Sequence, residues 1–345
     1  MSDPASFPQE SQSPTGGPNP VAAGDSTGSL SVLSWNLEWF FDDDNGDNFS
    51  KLAKEQSAPS RAAWNWKRDE VARSIASANP QIAGLQEIEG RRAIWYLTRA
   101  LTRNHSETFR ELCIDGTDVF TEQDVGFVYR PQTGSLLIHP LAQTFFGRSA
   151  AMRADDRYGD VSKHMAVEFE IKLGDAVERL LIVNLHLRAK AEGSEIRTKQ
   201  ARTVHAWLAD KVAAGENVLV LGDFNTETNQ WPAPAGSDMH AATGKDTPDE
   251  GDDLVDLHAF LPVSQRQTHL IPGKSFDRIL ASPSLMVDAP DRVDLCFEKI
   301  VLLKGLSVRG EVDAIDDHFN DYWQLAPATR DVSDHWPIMA TFQMR

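Results

Sequence analysis

Cysteine and basic side chains are scarce in this chain. Only two cysteines, Cys113 and Cys296, occur in 345 residues. They lie far apart and fit no metal-ligand spacing, so neither a disulfide frame nor a cysteine metal centre organises the fold. Free buried thiols are the expectation, which suits a reducing cytosol. Lys and Arg number 34 against 51 Asp and Glu, giving a net charge of −17. That balance disfavours a broad basic surface for long nucleic acid. It does not exclude a nuclease, because divalent cations invert the local field at a site. No apolar run approaches the length of a membrane span. The N-terminus has neither a basic n-region nor an apolar h-region, so no signal peptide is seen. A cytoplasmic protein without a membrane span is expected, with a monomer as the simplest state. There is no internal repeat.

Hydrophobic residues make up 41% of the chain, enough for a sizeable core. Nine Trp are present and read mostly as packing residues. Residues 1 to about 29 are rich in Ser, Pro, Gly and Gln and are expected to be a disordered tail; one domain is expected over 30–345. The acid runs Asp42–Asp44 and Asp249–Asp253 read as solvated loop rather than as calcium sites. Helical spacing of Val71, Ile75 and Ala78 predicts a helix over about 63–78, and Ile94, Leu97 and Leu101 predict one over about 91–103. A third helix is expected over 194–212, with Ser194 as N-cap. Strands are expected at 125–129 and 135–138. Residues 166–173 alternate Val167, Phe169 and Ile171 with Glu168, Glu170 and Lys172, as in a strand with one wet face. The region from Thr228 to about Thr268 is loop-rich, with a short helix near 254–260. Wet-faced strands, fully apolar strands and interleaved helices suggest two packed sheets covered by helices, an α/β fold.

The chemistry sits at strand ends. Val218–Leu221 is an apolar strand that runs into Gly222–Asp223–Phe224–Asn225, presenting a carboxylate and an amide two residues apart. Val32–Trp35 ends on Asn36. Ile82–Leu85 ends on Gln86 and Glu87. Leu181–Leu185 ends on His186. Asp277 opens the strand Asp277–Leu280, and Asp334–His335 precedes the last strand. Each piece alone has an ordinary structural reading: Asp and Asn cap turns, a lone His is usually a bonded core residue, and Lys163 and Arg188 are ordinary surface charge. Six pieces in one order do not.

In that order the set resembles the endonuclease/exonuclease/phosphatase superfamily, over about Ser31 to Phe342. The resemblance implies a four-layer α/β sandwich, two mixed β-sheets flanked by helices, and divalent-metal-dependent hydrolysis of phosphodiester bonds by in-line attack of water. It implies Asn36, Glu87 and Asp334 as ligands of Mg²⁺ or Mn²⁺, hard cations that want oxygen donors. It implies His335, oriented by Asp277, as phosphate contact or base, Asp223 as the rival base, and Asn225 as the group orienting water or a phosphate oxygen. The run Glu122–Gln123, Val125–Val128, Tyr129–Arg130–Pro131 resembles the deoxyribonuclease I segment that carries a Glu partner for the strand-end His. Glu122–His186 is therefore expected as a second carboxylate–His pair, supplying a general acid. Lys163 and Arg188 are candidate phosphate binders.

Two departures bear on substrate. Glu89 stands where nuclease members often place a basic residue, with Arg91 and Arg92 as possible substitutes. The residues after Asn225 lack the basic partner of the inositol 5-phosphatases. A nuclease acting on DNA or RNA is the expectation. The alternatives are a phosphatase or phosphodiesterase of a small phosphorylated metabolite or lipid headgroup (inositol phosphate or sphingomyelin type) and, against the intact metal and His positions, a non-catalytic binding module.

Overall fold

A computed structural model describes residues 28–148, 161, 163–289 and 292–345. Of the expected tail, only Gly28 and Ser29 fall among them, and Ser29 already pairs with Gln343 in a sheet. The element order is β1 (Ser29–Phe40), α1 (Lys51–Gln56), α2 (Arg61–Ala78), β2 (Ile82–Ile88), α3 (Arg91–His105), β3 (Arg110–Cys113), β4 (Asp124–Tyr129), β5 (Gln132–Thr133), β6 (Leu136–Phe145), β7 (Met165–Leu173) and β8 (Ala176–His186). It continues with α4 (Ser194–Ala213), β9 (Val218–Asp223), α5 (Asp238–Ala242), β10 (Val255–Asp256), β11 (Asp277–Ala281), β12 (Leu295–Leu302), α6 (Ile315–Asp321) and β13 (Ile338–Met344).

Two mixed sheets form, in the orders β12-β13-β1-β2-β4-β3 and β10-β11-β9-β8-β7-β6-β5. The period-two alternation of their strands decides the layering. In β1, Leu30 and Val32 join the core between the sheets, whereas Leu33 and Trp35 face the core shared with Trp64, Val71 and Ile75 of α2 and Leu97 of α3. In β9, Leu219 and Leu221 face the inter-sheet core, and Val218 and Val220 pack with Val204 and Leu208 of α4. Helix, sheet, sheet, helix is the four-layer sandwich expected.

Four sequence expectations need correction. Ser194 is the first helical residue of α4, and Gly193 before it offers no side-chain cap, because a short 3₁₀ turn leads in. The segment near 254–260 is the two-residue strand β10 followed by a 3₁₀ turn, Leu257–Phe260. Asp42 and, in the second acid run, Asp252 are buried rather than solvated, and Asp42 accepts from the Arg92 guanidinium at 2.8 Å. Both cysteines are unpaired thiols as expected, but only Cys296 is buried, Cys113 being half-buried.

The functional edge follows from strand direction. β1 runs parallel to β2, and β8 parallel to β9, so Asn36, Glu87, His186 and Asp223 arrive at one edge. Antiparallel β11 begins there, with Asp277 opposite Asp223, and antiparallel β13 is entered there just after His335. Gly222 permits the closest approach. Its φ is +135°, and a Cβ would sit 2.0 Å from the Leu185 carbonyl oxygen, so no other residue fits without moving the strand.

Candidate active site

Backbone irregularity re-aims the strand ends. The pairing of β2 with β4 shifts register between Gln86 and Ile88, and that of β1 with β2 between Asn36 and Phe40. Glu38, Trp39, Glu87 and Asn225 all hold positive φ, between 47° and 57°. Non-glycine residues rarely sit there, and bulges and left-handed residues cluster where a side chain must be turned out of the pleat. At Glu87 the effect is direct. Its side chain, 14% exposed, turns into the cleft, where it accepts from Trp39 N at 3.1 Å and from Asn36 Nδ2 at 3.1 Å.

Asn36 holds the centre together. Its Nδ2 also donates to Asp223 Oδ2 at 3.0 Å, while its Oδ1 accepts from Glu38 N at 2.9 Å. Asn225 fixes the other side of Asp223: its backbone N–H donates to Oδ1 at 2.7 Å and its Nδ2 to Oδ2 at 3.2 Å. Burial pushes the Asp223 carboxyl up, His335 pulls it down and Asp277 adds to the rise, leaving it at about 6. Burial and then Asp334 push Glu87 up to about 7.

His335 lies between three acids. Its Nδ1 donates to Asp277 Oδ2 at 2.9 Å, and its Nε2 stands 3.7 Å from Asp223 Oδ2 and 3.8 Å from Asp334 Oδ1. Burial disfavours the imidazolium, but Asp277, Asp334 and Asp223 outweigh it and hold His335 well above the ordinary histidine range. The reverse holds for Asp334, kept well below the usual carboxylate range by His335 and then His269 against its own burial.

The expected residues Asn36, Glu87, Asp223, Asn225, Asp277, Asp334 and His335 therefore share one cleft. His186 joins them, its Nε2 3.6 Å from Glu87 Oε1 and 3.7 Å from Asp223 Oδ2. Glu122 does not pair with it. The Glu122 carboxylate accepts from Phe49 N at 2.9 and 3.1 Å and from Ser50 N at 2.5 Å, closing the turn into α1. His186 Nδ1 has no hydrogen-bond partner among the described residues. Lys163 is half-buried, 3.5 Å from Asp118, and close enough to His186 to depress its basicity. Arg188 lies two residues beyond His186 with an exposed side chain. Arg92 is spent on Asp42, Asp44 and Asp47, so it is not free to replace the basic residue that Glu89 displaces.

Sequence reasoning missed several neighbours. Asn184 bridges the sheets under the site: it accepts from Gln86 Nε2 at 2.7 Å and donates to the carbonyls of Leu85 and Gly126. A polar residue inside the apolar run Leu181–Leu185 was the available signal. His269 had no such signal. It bridges to His335 in the backbone, and its Nε2 lies 3.1 Å from Asp334 Oδ2. Its Nδ1 accepts from Ile271 N at 3.0 Å, so the proton sits on Nε2 and His269 donates to Asp334 rather than serving as a metal ligand.

Glu38 ties α6 to this cluster. It accepts from Asp334 N at 3.1 Å and from His318 Nε2 at 2.9 Å, while His318 Nδ1 donates to Asp313 at 2.9 Å. Burial opposes the charged ring, but Glu38, then Asp334 and Asp313, raise its pKa to about 9. A folded-state value above the unfolded one of about 6.5 gives stability that is complete below pH 6.5 and lost as pH rises through 9. The shift corresponds to about 3 kcal/mol. The wild-type melting temperature should therefore fall between pH 6.5 and 9.5 by several degrees more than that of His318→Gln. Parallel pH profiles for the two proteins would contradict this.

The profile of the Endonuclease/Exonuclease/phosphatase family matches residues 33–335. The chain belongs to that family. The fold is shared with solved structures of low identity. A humanized zebrafish (D. rerio) TDP2 is 17% identical, with 91% of this chain and 99% of that one covered and a TM-score of 0.54. The human Nocturnin catalytic domain with bound sulfate is 13% identical, with 92% and 95% covered and a TM-score of 0.56. Zebrafish TDP2 complexed with a single-strand DNA product is 18% identical, with 91% and 99% covered and a TM-score of 0.52. None of the curated proteins matches the chain in sequence. As a family member the chain is a metal-dependent hydrolase of ester bonds. Among the described residues no helix is long and apolar enough to cross a membrane.

The donors present fit a divalent cation. Glu87, His186 and Asp223 place ligand atoms within 4.8 Å of one another. Glu87 is lifted to about 7 by burial and by Asp334, a strain that a cation would relieve. Asp334 Oδ1 is buried without a hydrogen-bond partner among the described residues, a cost of about 1–3 kcal/mol unless something binds it.

Proposed function

We propose that this protein hydrolyses phosphodiester bonds of DNA or RNA, using Mg²⁺ or Mn²⁺ held by Glu87 and Asp334, with Asn36 beside them. The observation that carries the reading is the convergence of Glu87, Asp223 and the Asp277–His335 pair on one cleft. When bound, the cation supplies charge neutralisation at the phosphate. Asp223, near 6 and fixed by Asn36 and Asn225, is matched to taking a proton from the attacking water. His335, held as imidazolium by Asp277, is matched to a phosphate oxygen. Lys163 is a further phosphate contact on the His186 side, and exposed Arg188 is one farther out. The DNA product bound to zebrafish TDP2 on the same fold supports a nucleic-acid substrate. The protein acts as a monomer in the cytoplasm.

One observation favours a second reading, a small phosphorylated substrate. A hollow of about 290 Å³ beside Glu89 is lined by six acids against two basic residues, Arg91 and Arg92, and Arg92 is already paired with Asp42, Asp44 and Asp47. It offers a long polyanion no track on that side.

The test is purified protein with EDTA, Mg²⁺ or Mn²⁺ against plasmid DNA, RNA, bis-p-nitrophenyl phosphate, p-nitrophenyl phosphate and inositol phosphates. Chelation should abolish activity and either cation restore it. Glu87→Gln should weaken the apparent affinity for the cation by at least about tenfold, read both in activation and in calorimetric titration. Full activity in chelator would exclude the mechanism, and cleavage of inositol phosphates alone would establish the second reading.

A further inference from the structure

One wall of the cleft is built of rings. The Phe276 centroid lies 6.1 Å from that of His335 and 4.9 Å from that of His269, which is itself 4.6 Å from His335. Phe319 continues the row from α6, its plane within 21° of the His269 ring and its centroid 6.4 Å away. Phe276 is half-buried, but Phe319 keeps 48% of its surface exposed. A large aromatic left open one ring away from a buried catalytic His is unlike an isolated surface hydrophobe, which needs no explanation.

The ring is also held in place. Its neighbour His318 is fully buried and bonded at both nitrogens, to Asp313 and to Glu38, and Glu38 accepts from the Asp334 backbone. Tyr322, one turn further on, receives the buried Lys67 ammonium at 3.0 Å. An exposed ring on a pinned backbone loses little freedom when something stacks on it, which is what a binding platform requires. The hollow beside Glu89 holds six acids against Arg91 and Arg92, a balance that disfavours a second phosphate there. A substrate fits best with its scissile phosphate at His335 and Asp334 and a flat, uncharged group along the ring wall.

We infer that Phe319, backed by His269 and Phe276, is a stacking platform for a planar aromatic group joined to the scissile phosphate, such as the base of a terminal nucleotide. The inference rests on the phosphodiesterase reading and adds its substrate class: a phosphoester with a ring one sugar's length from phosphorus. A nucleobase and a simple aromatic alcohol share this chemistry.

Two arms test it. In the kinetic arm, with Mn²⁺, the p-nitrophenyl ester of thymidine 5′-phosphate is compared with methyl p-nitrophenyl phosphate, which has the same leaving group and no ring on the other side. Phe319→Ala should lower the ratio of kcat/KM for the thymidine ester to that for the methyl ester about tenfold, and Phe319→Trp should restore it. In the binding arm, calorimetry with thymidine 5′-phosphate, phenyl phosphate and methyl phosphate should show about tenfold preference for a ring-bearing ligand, lost in Phe319→Ala. Phenyl phosphate binding as well as the nucleotide would identify a platform for any ring; weaker binding would identify a nucleobase site. An unchanged substrate ratio together with unchanged ligand preference in Phe319→Ala overturns the inference. Absence of hydrolysis of both esters by the wild type would instead overturn the phosphodiesterase reading, and the binding arm would still decide the role of Phe319.

Discussion

Asp277→Asn should lower kcat on a phosphodiester by about 10³-fold, close to the loss caused by His335→Gln. The two residues form one unit. Asp277 Oδ2 receives the His335 Nδ1 proton at 2.9 Å, and the Asp277 backbone is fixed by Thr268 Oγ1. Asn removes the charge that keeps His335 protonated, and it can present a donor where an acceptor is needed. His335 then loses both its orientation and its charge at the phosphate. The double mutant should therefore be no worse than His335→Gln alone, because Asp277 acts only through the ring. Saturating-substrate kinetics on the two single mutants and the double mutant would read this directly. Melting temperatures within about 3 °C of wild type would show that the fold is intact. Additive losses would mean that Asp277 touches the reaction independently of His335.

That pair is legible in the sequence, and the reason is physical. Asp277 and His335 each stand at the mouth of a strand, and strand direction delivers such residues to one edge. The same logic located Asn36, Glu87, Asp223 and Asn225. The four layers were implied by the family resemblance and not by periodicity, since β9 is buried and apolar from Val218 to Leu221 and its pattern does not distinguish the inter-sheet face from the helix face. What local sequence could not carry was the partner of each side chain. Glu122 sits beside β4 as the motif requires, but three amide bonds at Phe49 and Ser50 take its carboxylate. His269 and the α6 segment lie in long connections with no periodic signature. His269 reaches Asp334 directly, whereas α6 reaches it through His318 and Glu38, which are 280 residues apart in sequence. Such contacts are products of the fold and not of any local pattern.

His186→Ala should cost about 10²-fold in kcat/KM, and by the same factor on two very different substrates. One is a diester with a poor alkoxide leaving group; the other releases p-nitrophenolate, which departs without a proton. A general acid must carry its proton at the working pH. His186 does not: burial, then Lys163 and His164, hold it well below the ordinary histidine range. With no acid at Nδ1, the neutral ring presents Nε2 to the cleft, 3.6 Å from Glu87 and 3.7 Å from Asp223. A neutral donor can hold a phosphate oxygen through both reactions alike. Losses that agree within about threefold would support that role. A loss many times larger on the alkoxide substrate would show that His186 delivers the leaving-group proton after all. Glu122→Gln separates the two cases further. If Glu122 served His186, the variant would repeat the His186 defect in weaker form. Because its carboxylate instead receives the amides of Phe49 and Ser50, the variant should keep kcat within about twofold and lower the melting temperature by about 2–4 °C, as expected for weakening charge-assisted bonds at a turn.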